Sequence, residues 1–509
     1  MKNWLLTFCS FLAFLLLIAG STHAQNAPVS FSRVAAPKFS YDAIIALPSP
    51  QTGELAFDTT HKCLRVYNGS RWVCTFQNPN DTSPTTSAFM TAGSIGDDRG
   101  YGVAVDATGN VYITGFFMLN VTFGSTTKTS LGSTDIFIAK YNSNGILQWV
   151  QTAGSSNTDF SNGIVLDLNG NVYITGCFTE TISFGATSKV SQGSFDVFVA
   201  KYSNNGTFQW VQTGGGINTD FGRDLAVDSS GNVCITGYFS ATATFGGVTK
   251  TAFGNNEFVD VFVAKYNTNG VFQWVQTAGG PSQDDGYGVA MDANGDVYIT
   301  GEFIGPANFL GTNIASLSTN LYVAKFNSIG VFQWVRITAN AYGRDIAIDA
   351  IGNLYVTGFL NGSATFGGIT KTSSGIFDIF IVKYNNSGIV QWVQTAGGID
   401  EEYGQGIAVD ASGNVYVTGF FNGTTTFDTI SKTSFGDYDI FVAKYNTNGI
   451  FQWMQTVGGI NEDRSQGIAI DVLGNVYETG YFSGSVNIGN TSKTSAGSFD
   501  ALLTRFQQF

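Results

Sequence analysis

The sequence predicts an all-β protein: a seven-bladed β-propeller of four-stranded blades, closed by an N-terminal strand and preceded by a small β module. Three observations carry this. The segment Gly109-Asn-Val-Tyr-Ile-Thr-Gly115 is the first of seven similar copies, at steps of 61, 61, 64, 57, 61 and 61 residues. Each copy sits in a unit of four strand-like runs separated by glycine-bearing turns. The 509 residues include 63 Gly, 43 Phe and 21 Tyr but only 8 Pro, with 43% hydrophobic and 12% charged. That mass supports a large core, and the composition favours strands and tight turns over helices.

The chain opens with Lys2, an apolar run from Trp4 to Gly20, and Ser21-Thr22-His23-Ala24. A basic start, an apolar middle and small residues at a cleavage point describe a secretory signal peptide over residues 1–24. No membrane span is expected after its removal. Residues 25–82 form the second piece. In Cys63-Leu-Arg-Val-Tyr-Asn-Gly-Ser-Arg-Trp-Val-Cys74, the Asn68-Gly69 pair is a two-residue hairpin signal. A turn centred there sets Cys63 opposite Cys74, and a cross-strand disulfide is expected, since export permits it. Asn78 to Pro84 reads as a linker. Cys177 and Cys234 replace aromatics in repeated strands and are expected to be buried free thiols.

From residue 83 to 509 the units run in register. In the first, Gly102–Asp106 is strand one and Val111–Phe117 strand two. After a long connection, Asp135–Tyr141 is strand three and Ile146–Gln151 strand four. Both short turns place Gly where a type I turn with a bulge requires positive φ. Strands two and three are apolar on both faces, so each blade must lie between two others. Thr86–Gly93 matches the end of a fourth strand, while the last unit stops after its third. The N-terminal strand should therefore complete the seventh blade and leave no open edge.

Val103-Ala-Val-Asp-Ala-Thr-Gly-Asn-Val-Tyr-Ile-Thr-Gly115 and Asp135-Ile-Phe-Ile-Ala-Lys-Tyr141 resemble the SBBP-type β-propeller repeats of secreted bacterial proteins. The resemblance covers nearly all of residues 86–509. It implies export and residence at the cell exterior or in the envelope, and no particular reaction.

Net charge −13 and a pI near 4.5 argue against nucleic acid as a partner. Two histidines leave little room for histidine catalysis or zinc. The sevenfold Asp of strand one (Asp106 and its equivalents) is expected to cap its turn, and the sevenfold Lys and the tryptophans to serve packing. No nucleophile elbow or other catalytic motif is present, so no catalytic residue is assigned.

Two asymmetric sets remain. Just before strand one, facing the central channel, stand Tyr101, Asn162, Arg223, Tyr287, Arg344, Gln405 and Gln466. Glycine follows five of them, but Asp224 and Asp345 follow the two arginines. Arginine there would hold a carboxylate or sulfate, and Tyr101 and Tyr287 would stack on a sugar. The loops from strand four to the next strand one carry Asp97, Asp98, Asp284, Asp285, Asp400, Glu401 and Glu402. These are candidate Ca²⁺ ligands, or else a solvated acidic rim. The expected function is that of an exported, monomeric, non-enzymatic scaffold binding a protein or glycan through its variable loop face. The alternatives are a carbohydrate-active hydrolase or lyase with its site at the channel mouth, and a structural surface or matrix component.

Overall fold

The computed structural model describes residues 84–254 and 258–507, and before them the backbone of four short strands. The expected signal peptide lies outside the described residues. The chain divides into two compact units, residues 1–81 and 82–509. In the first, Lys38–Phe39, Leu55–Asp58, Cys63–Tyr67 and Trp72–Gln77 form one sheet in chain order. The last two strands make the expected hairpin, but its register differs. Tyr67 pairs with Trp72, so four residues rather than two form the turn. A bulge at Leu64/Arg65 then sets Cys63 across from Gln77 and Cys74 across from Arg65. The backbone therefore does not place the two cysteines opposite each other. Their side chains lie outside the described set.

The second unit is the propeller. Blade 1 is built from Arg99–Val105, Val111–Phe117, Asp135–Tyr141 and Leu147–Ala153, ordered from channel to rim. Blades 2 to 7 open with Phe160–Leu166, Phe221–Val227, Asp284–Met291, Ala341–Ile348, Glu402–Val409 and Asp463–Ile470. In blade 7, Asp500–Gln507 pairs with Thr85–Ala92, so Ala501 faces Ala92 and Gln507 faces Thr85. The strand nearest the N-terminus of this unit thus closes the ring.

Strands two and three are buried along most of their length, and in blade 1 throughout Val111–Phe117 and Asp135–Tyr141. Their side chains form a separate core between each pair of blades. Tyr112, Ile136 and Ile138 of blade 1, for example, meet Ile174, Phe178 and Phe198 of blade 2. The turns are as expected. Gly109 has φ 79° and Gly145 φ 77°. Asp106 Oδ1 accepts hydrogen bonds from the backbone of Thr108 (2.9 Å) and Asn110 (3.0 Å), which fastens the turn.

The tight-turn face also latches blade to blade. Trp149 Nε1 donates to Asn204 O (3.0 Å) on the next blade's turn, and Trp210 does the same to Thr268 O (3.1 Å). Lys201 Nζ reaches Thr268 O (3.2 Å), with Asp167 at 3.6 Å. These contacts account for the sevenfold residues as structure. The long connection between strands two and three is itself a hairpin in every blade, such as Asn120–Phe123 with Thr126–Thr129. It buries one face through Val121 and Phe123. Cys177 and Cys234 are buried and free.

One core position breaks the repeat. Where blade 1 pairs Ile113 with Ala139, blade 7 pairs Glu478 with Thr504. Glu478 is fully buried, Thr504 Oγ1 donates to its Oε2 (2.6 Å), and its Oε1 has no partner. Burial raises its pKa to about 7. Replacing the pair by the blade-1 residues, Glu478→Ile with Thr504→Ala, is expected to stabilise the protein by about 1–3 kcal/mol at pH 8. The gain should shrink at pH 5, where the native carboxyl is already neutral. Denaturant melts at the two pH values check both parts.

Candidate ligand site at the channel mouth

Every innermost strand carries a one-residue bulge, as between Gly100 and Gly102 or Gly222 and Asp224. The bulged residues are Tyr101, Asn162, Arg223, Tyr287, Arg344, Gln405 and Gln466. A bulge leaves its residue outside the ladder and re-aims the side chain. All seven, with Asp224 and Asp345, line one cavity of 530 Å³ over the channel.

Arg223 and Arg344 do not pair with the aspartates that follow them. Arg223 Nη2 bonds Asp285 Oδ2 of blade 4 (2.9 Å), and Arg344 Nη2 lies 3.8 Å from Glu302 Oε2, also of blade 4. Between them stands Tyr287, its ring centre 5.0 Å from the Arg223 guanidinium and 3.9 Å from that of Arg344. Both guanidinium groups already engage that ring, so Tyr287 is not the free stacking platform expected for a sugar. Burial pushes its phenol up to about 12.

Asp224 and Asp345 bridge to the backbone of neighbouring blades. Asp224 Oδ2 accepts from Val289 N (2.9 Å), and Asp345 Oδ2 from Ile407 N (2.8 Å). Burial first, and for Asp224 then the charge of Asp345, hold this coupled pair above the usual carboxylate range. Asn162 Nδ2 makes a similar strut to Gly222 O (2.7 Å).

Around the mouth runs a collar of aromatics, with Phe116, Phe359 and Phe420 buried and the others half-buried. Phe116 touches Phe160 and Phe160 touches Phe221, with centroids 5.0 and 6.3 Å apart. On the other side Tyr342, Phe359, Tyr403, Phe420 and Tyr438 follow one another at 4.6–5.3 Å. The collar breaks at blade 4, where Asp285 and Glu302 hold two positions that are aromatic in blades 3, 5 and 6. Arg464 adds a third guanidinium, paired with Glu462 Oε1 (2.6 Å) and 4.6 Å from the Phe420 ring. The sequence reading missed Arg464, Tyr403, Phe420, Tyr438 and Glu302. Glu302 was detectable as the only acid at its place in the Val-Tyr-Ile-Thr-Gly-x-Phe repeat.

The seven candidate metal ligands do not gather. Neighbouring residues on a strand point to opposite faces. Asp97 forms a two-pronged pair with Arg99 (2.7 and 2.8 Å), Asp285 goes to Arg223, and Glu401 accepts from the hydroxyls of Tyr403 and Tyr438. Asp400 contributes its carbonyl to Ile376 N (3.1 Å). Asp98, Asp284 and Glu402 turn inward and are buried. No cluster of three or more His, Cys, Asp or Glu suited to a metal occurs among the described residues.

Instead, Asp98, Asp284 and Glu402 belong to a second repeated feature, a buried acid pair at the junction of two blades. Asp159, Asp220 and Asp463 hold the same place in their blades. Each accepts a backbone N–H from the preceding loop, such as Gly216 N to Asp220 Oδ2 (2.7 Å). Beside each lies the acid that opens strand three of the previous blade: Asp500, Asp260, Asp378, Asp135, Asp196 and Asp439, in the same order. A glycine packs on each of these, because a Cβ would overlap the carboxyl carbon. At Gly154 and Gly458 that gap would be 2.2 and 2.1 Å. Only the junction of blades 4 and 5 differs, with Asn320, Ala339 and Ala341 in the three places.

The fold and the mouth define a class: a β-propeller with equivalent blades and one asymmetric channel mouth. Residues 148–176 and 391–419 match the model of the SBBP β-propeller repeat family. Each match runs from the outermost strand of one blade, through an acid-pair loop, to the second strand of the next. An uncharacterised WD repeat-containing protein, L264, of Acanthamoeba polyphaga mimivirus is 26% identical over 84% of this chain and 39% of its own length. Regulatory protein FlaEY of Caulobacter vibrioides is 24% identical over 74% of this chain and 42% of its own. The chain thus spans about two fifths of the curated relatives it matches. The WD40 β-propeller domain of Doa1 superposes with a TM-score of 0.43 at 8% identity, covering 82% of this chain and 97% of that one. No helix among the described residues is long and apolar enough to cross a membrane.

Proposed function

We propose that this protein is an exported, non-enzymatic propeller scaffold that binds a protein or glycan outside the cytoplasm, as a monomer, at the channel mouth. The observation that carries the reading is the concentration of asymmetry there. The tight-turn face repeats the same contacts from blade to blade. Its 370 Å³ cleft beside Asp228 and Lys265 is lined by residues that cap turns and latch blades. The mouth instead offers half-buried aromatics, three guanidinium groups and amides, a mixture suited to recognition. A glycan array and a protein pull-down with the chain lacking residues 1–24 test it. A ligand found by either route should bind Tyr403→Ala or Arg344→Ala at least about tenfold more weakly. Leu473→Ser, on the opposite face, should leave affinity unchanged. Equal loss in all three variants, or in none, would place the site elsewhere.

The carbohydrate-active alternative has one observation in its favour: Asp224, Asp345, Arg223 and Arg344 share one cavity. Against it, both carboxylates are held by backbone N–H groups as struts between blades. Polysaccharide turnover by the intact chain that disappears in Asp224→Asn, with the melt preserved, would favour that alternative.

A further inference from the structure

The twelve acids at six of the seven blade junctions are each no more than 5% exposed. None forms an ion pair with a described Lys or Arg. Two carboxylates removed from water side by side require a counter-charge from somewhere. Backbone N–H groups supply part of it, yet they leave oxygens over. Asp196 Oδ1, Asp260 Oδ1, Glu402 Oε1, Asp439 Oδ1 and Asp500 Oδ1 are buried and have no partner, so five of the six junctions hold at least one such oxygen. At the junction of blades 2 and 3 the direction of these oxygens is plain. The point where a Cβ of Gly215 would stand lies 2.6 Å from the unpartnered Asp196 Oδ1 and 2.9 Å from Asp220 Oδ2. Oxygens of the two carboxylates thus lie close to each other above that glycine, with Asp196 Cγ also 2.6 Å from the same point.

One junction lacks both acids. Between blades 4 and 5 both acids are absent together, as Asn320 and Ala341, and the glycine is Ala339. Asn320 satisfies its amide within its own loop, donating to Ser316 Oγ (2.8 Å). The connection there is also three residues shorter: Ala339 stands two residues before Ala341, where each of the six glycines stands five before its acid.

We propose that each of the six acid pairs takes up one hard divalent cation of the calcium type, held between two blades. The donor set is oxygen only, which suits Ca²⁺ and not the nitrogen and sulfur preference of zinc. Two carboxylates per site is a small ligand charge, so binding in the range of about 10⁻⁴–10⁻³ M is expected. The role is a clasp across each junction. It does not depend on the ligand reading of the channel mouth.

Equilibrium dialysis of the chain lacking residues 1–24 against millimolar ⁴⁵Ca²⁺ at pH 8 should retain about six ions per chain. Asp196→Asn with Asp220→Asn should retain one fewer. Asn320→Asp with Ala339→Gly and Ala341→Asp should retain one more, a gain that does not depend on any loss variant folding. Glu462→Gln and Asp400→Asn remove acids outside the pairs and should leave the count unchanged. The proposal is overturned if wild type retains no Ca²⁺ at millimolar concentration. It is equally overturned if retention tracks Glu462 and Asp400 instead of the pairs. In that case the counter-charge is a proton shared within each pair.

Discussion

In EDTA, the melting midpoint of this protein is expected to fall by about 10 °C or more as the pH is raised from 5 to 9. The cause is the acid pairs. Burial, and after it loop hydrogen bonds and the neighbouring acid, leave Asp98 and Asp159 at about 6 and Asp220 at about 7. Asp284, Glu402 and Asp463 reach about 8 for the same first cause. In the unfolded chain these groups titrate near 3.8, or 4.5 for Glu402. Between those values and 8 the native state holds more protons than the unfolded one. Stability then decreases with rising pH, fully present near pH 4 and lost as pH passes through 6 to 8. Glu478 acts in the same direction. The turn cap Asp106 acts oppositely: burial raises its pKa, but hydrogen bonds from Asn110 and Thr108 outweigh it and lower the pKa. Its contribution is lost below about pH 4. An optimum between about pH 4 and 6 in EDTA is the expected profile. Scanning calorimetry across pH 3–9 checks it, and a midpoint that rises from pH 5 to 9 would refute the account of the pairs.

The largest structural effect is expected from removing the closing strand, Thr85–Ala92. Its loss would unpair the whole outer edge of Asp500–Gln507. It would also strip Met90 and Ala92 from the core they share with Val103, Tyr477 and Leu503. A buried apolar side chain such as Met90 contributes on the order of 1.5–3 kcal/mol, and the edge left behind invites association with other chains. A chain beginning at residue 83 should melt cooperatively. One beginning at residue 95 should aggregate or melt without a sharp transition, as read by circular dichroism and light scattering. Equal melts for the two would mean that the ring does not depend on its closing strand.

Much of the fold was legible because its signals are local and repeated. The Asp–Gly–Asn turns, the doubly apolar strands and the split seventh blade each follow from a few adjacent residues, and seven copies make the period unmistakable. The hairpin within each long connection was not anticipated, although its alternating Thr-x-Thr-Phe pattern carries a strand signal. At Cys63 and Cys74 a hairpin was legible but its register was not. A four-residue turn and one bulge displace every facing pair, and neither is written in Asn68-Gly69 alone.

The channel positions were legible for the same reason as the blades: they sit at one fixed offset from a repeated motif. What occupies them could be read from the chain, but their partners could not. The sequence by itself determined seven blades, their order, the residues at the mouth and the places where the repeat lapses. Only the tertiary structure decided that Arg223 meets Asp285 rather than Asp224. It also decided that Asp98 lies beside Asp500, and that Asp97 and Asp98 face different neighbours. Successive strand residues point to opposite faces, and a bulge shifts that alternation by one. Charges close in the chain therefore separate, and charges a blade or a whole ring apart come together. Such pairs are set by ring closure and blade packing, which no short stretch of sequence contains.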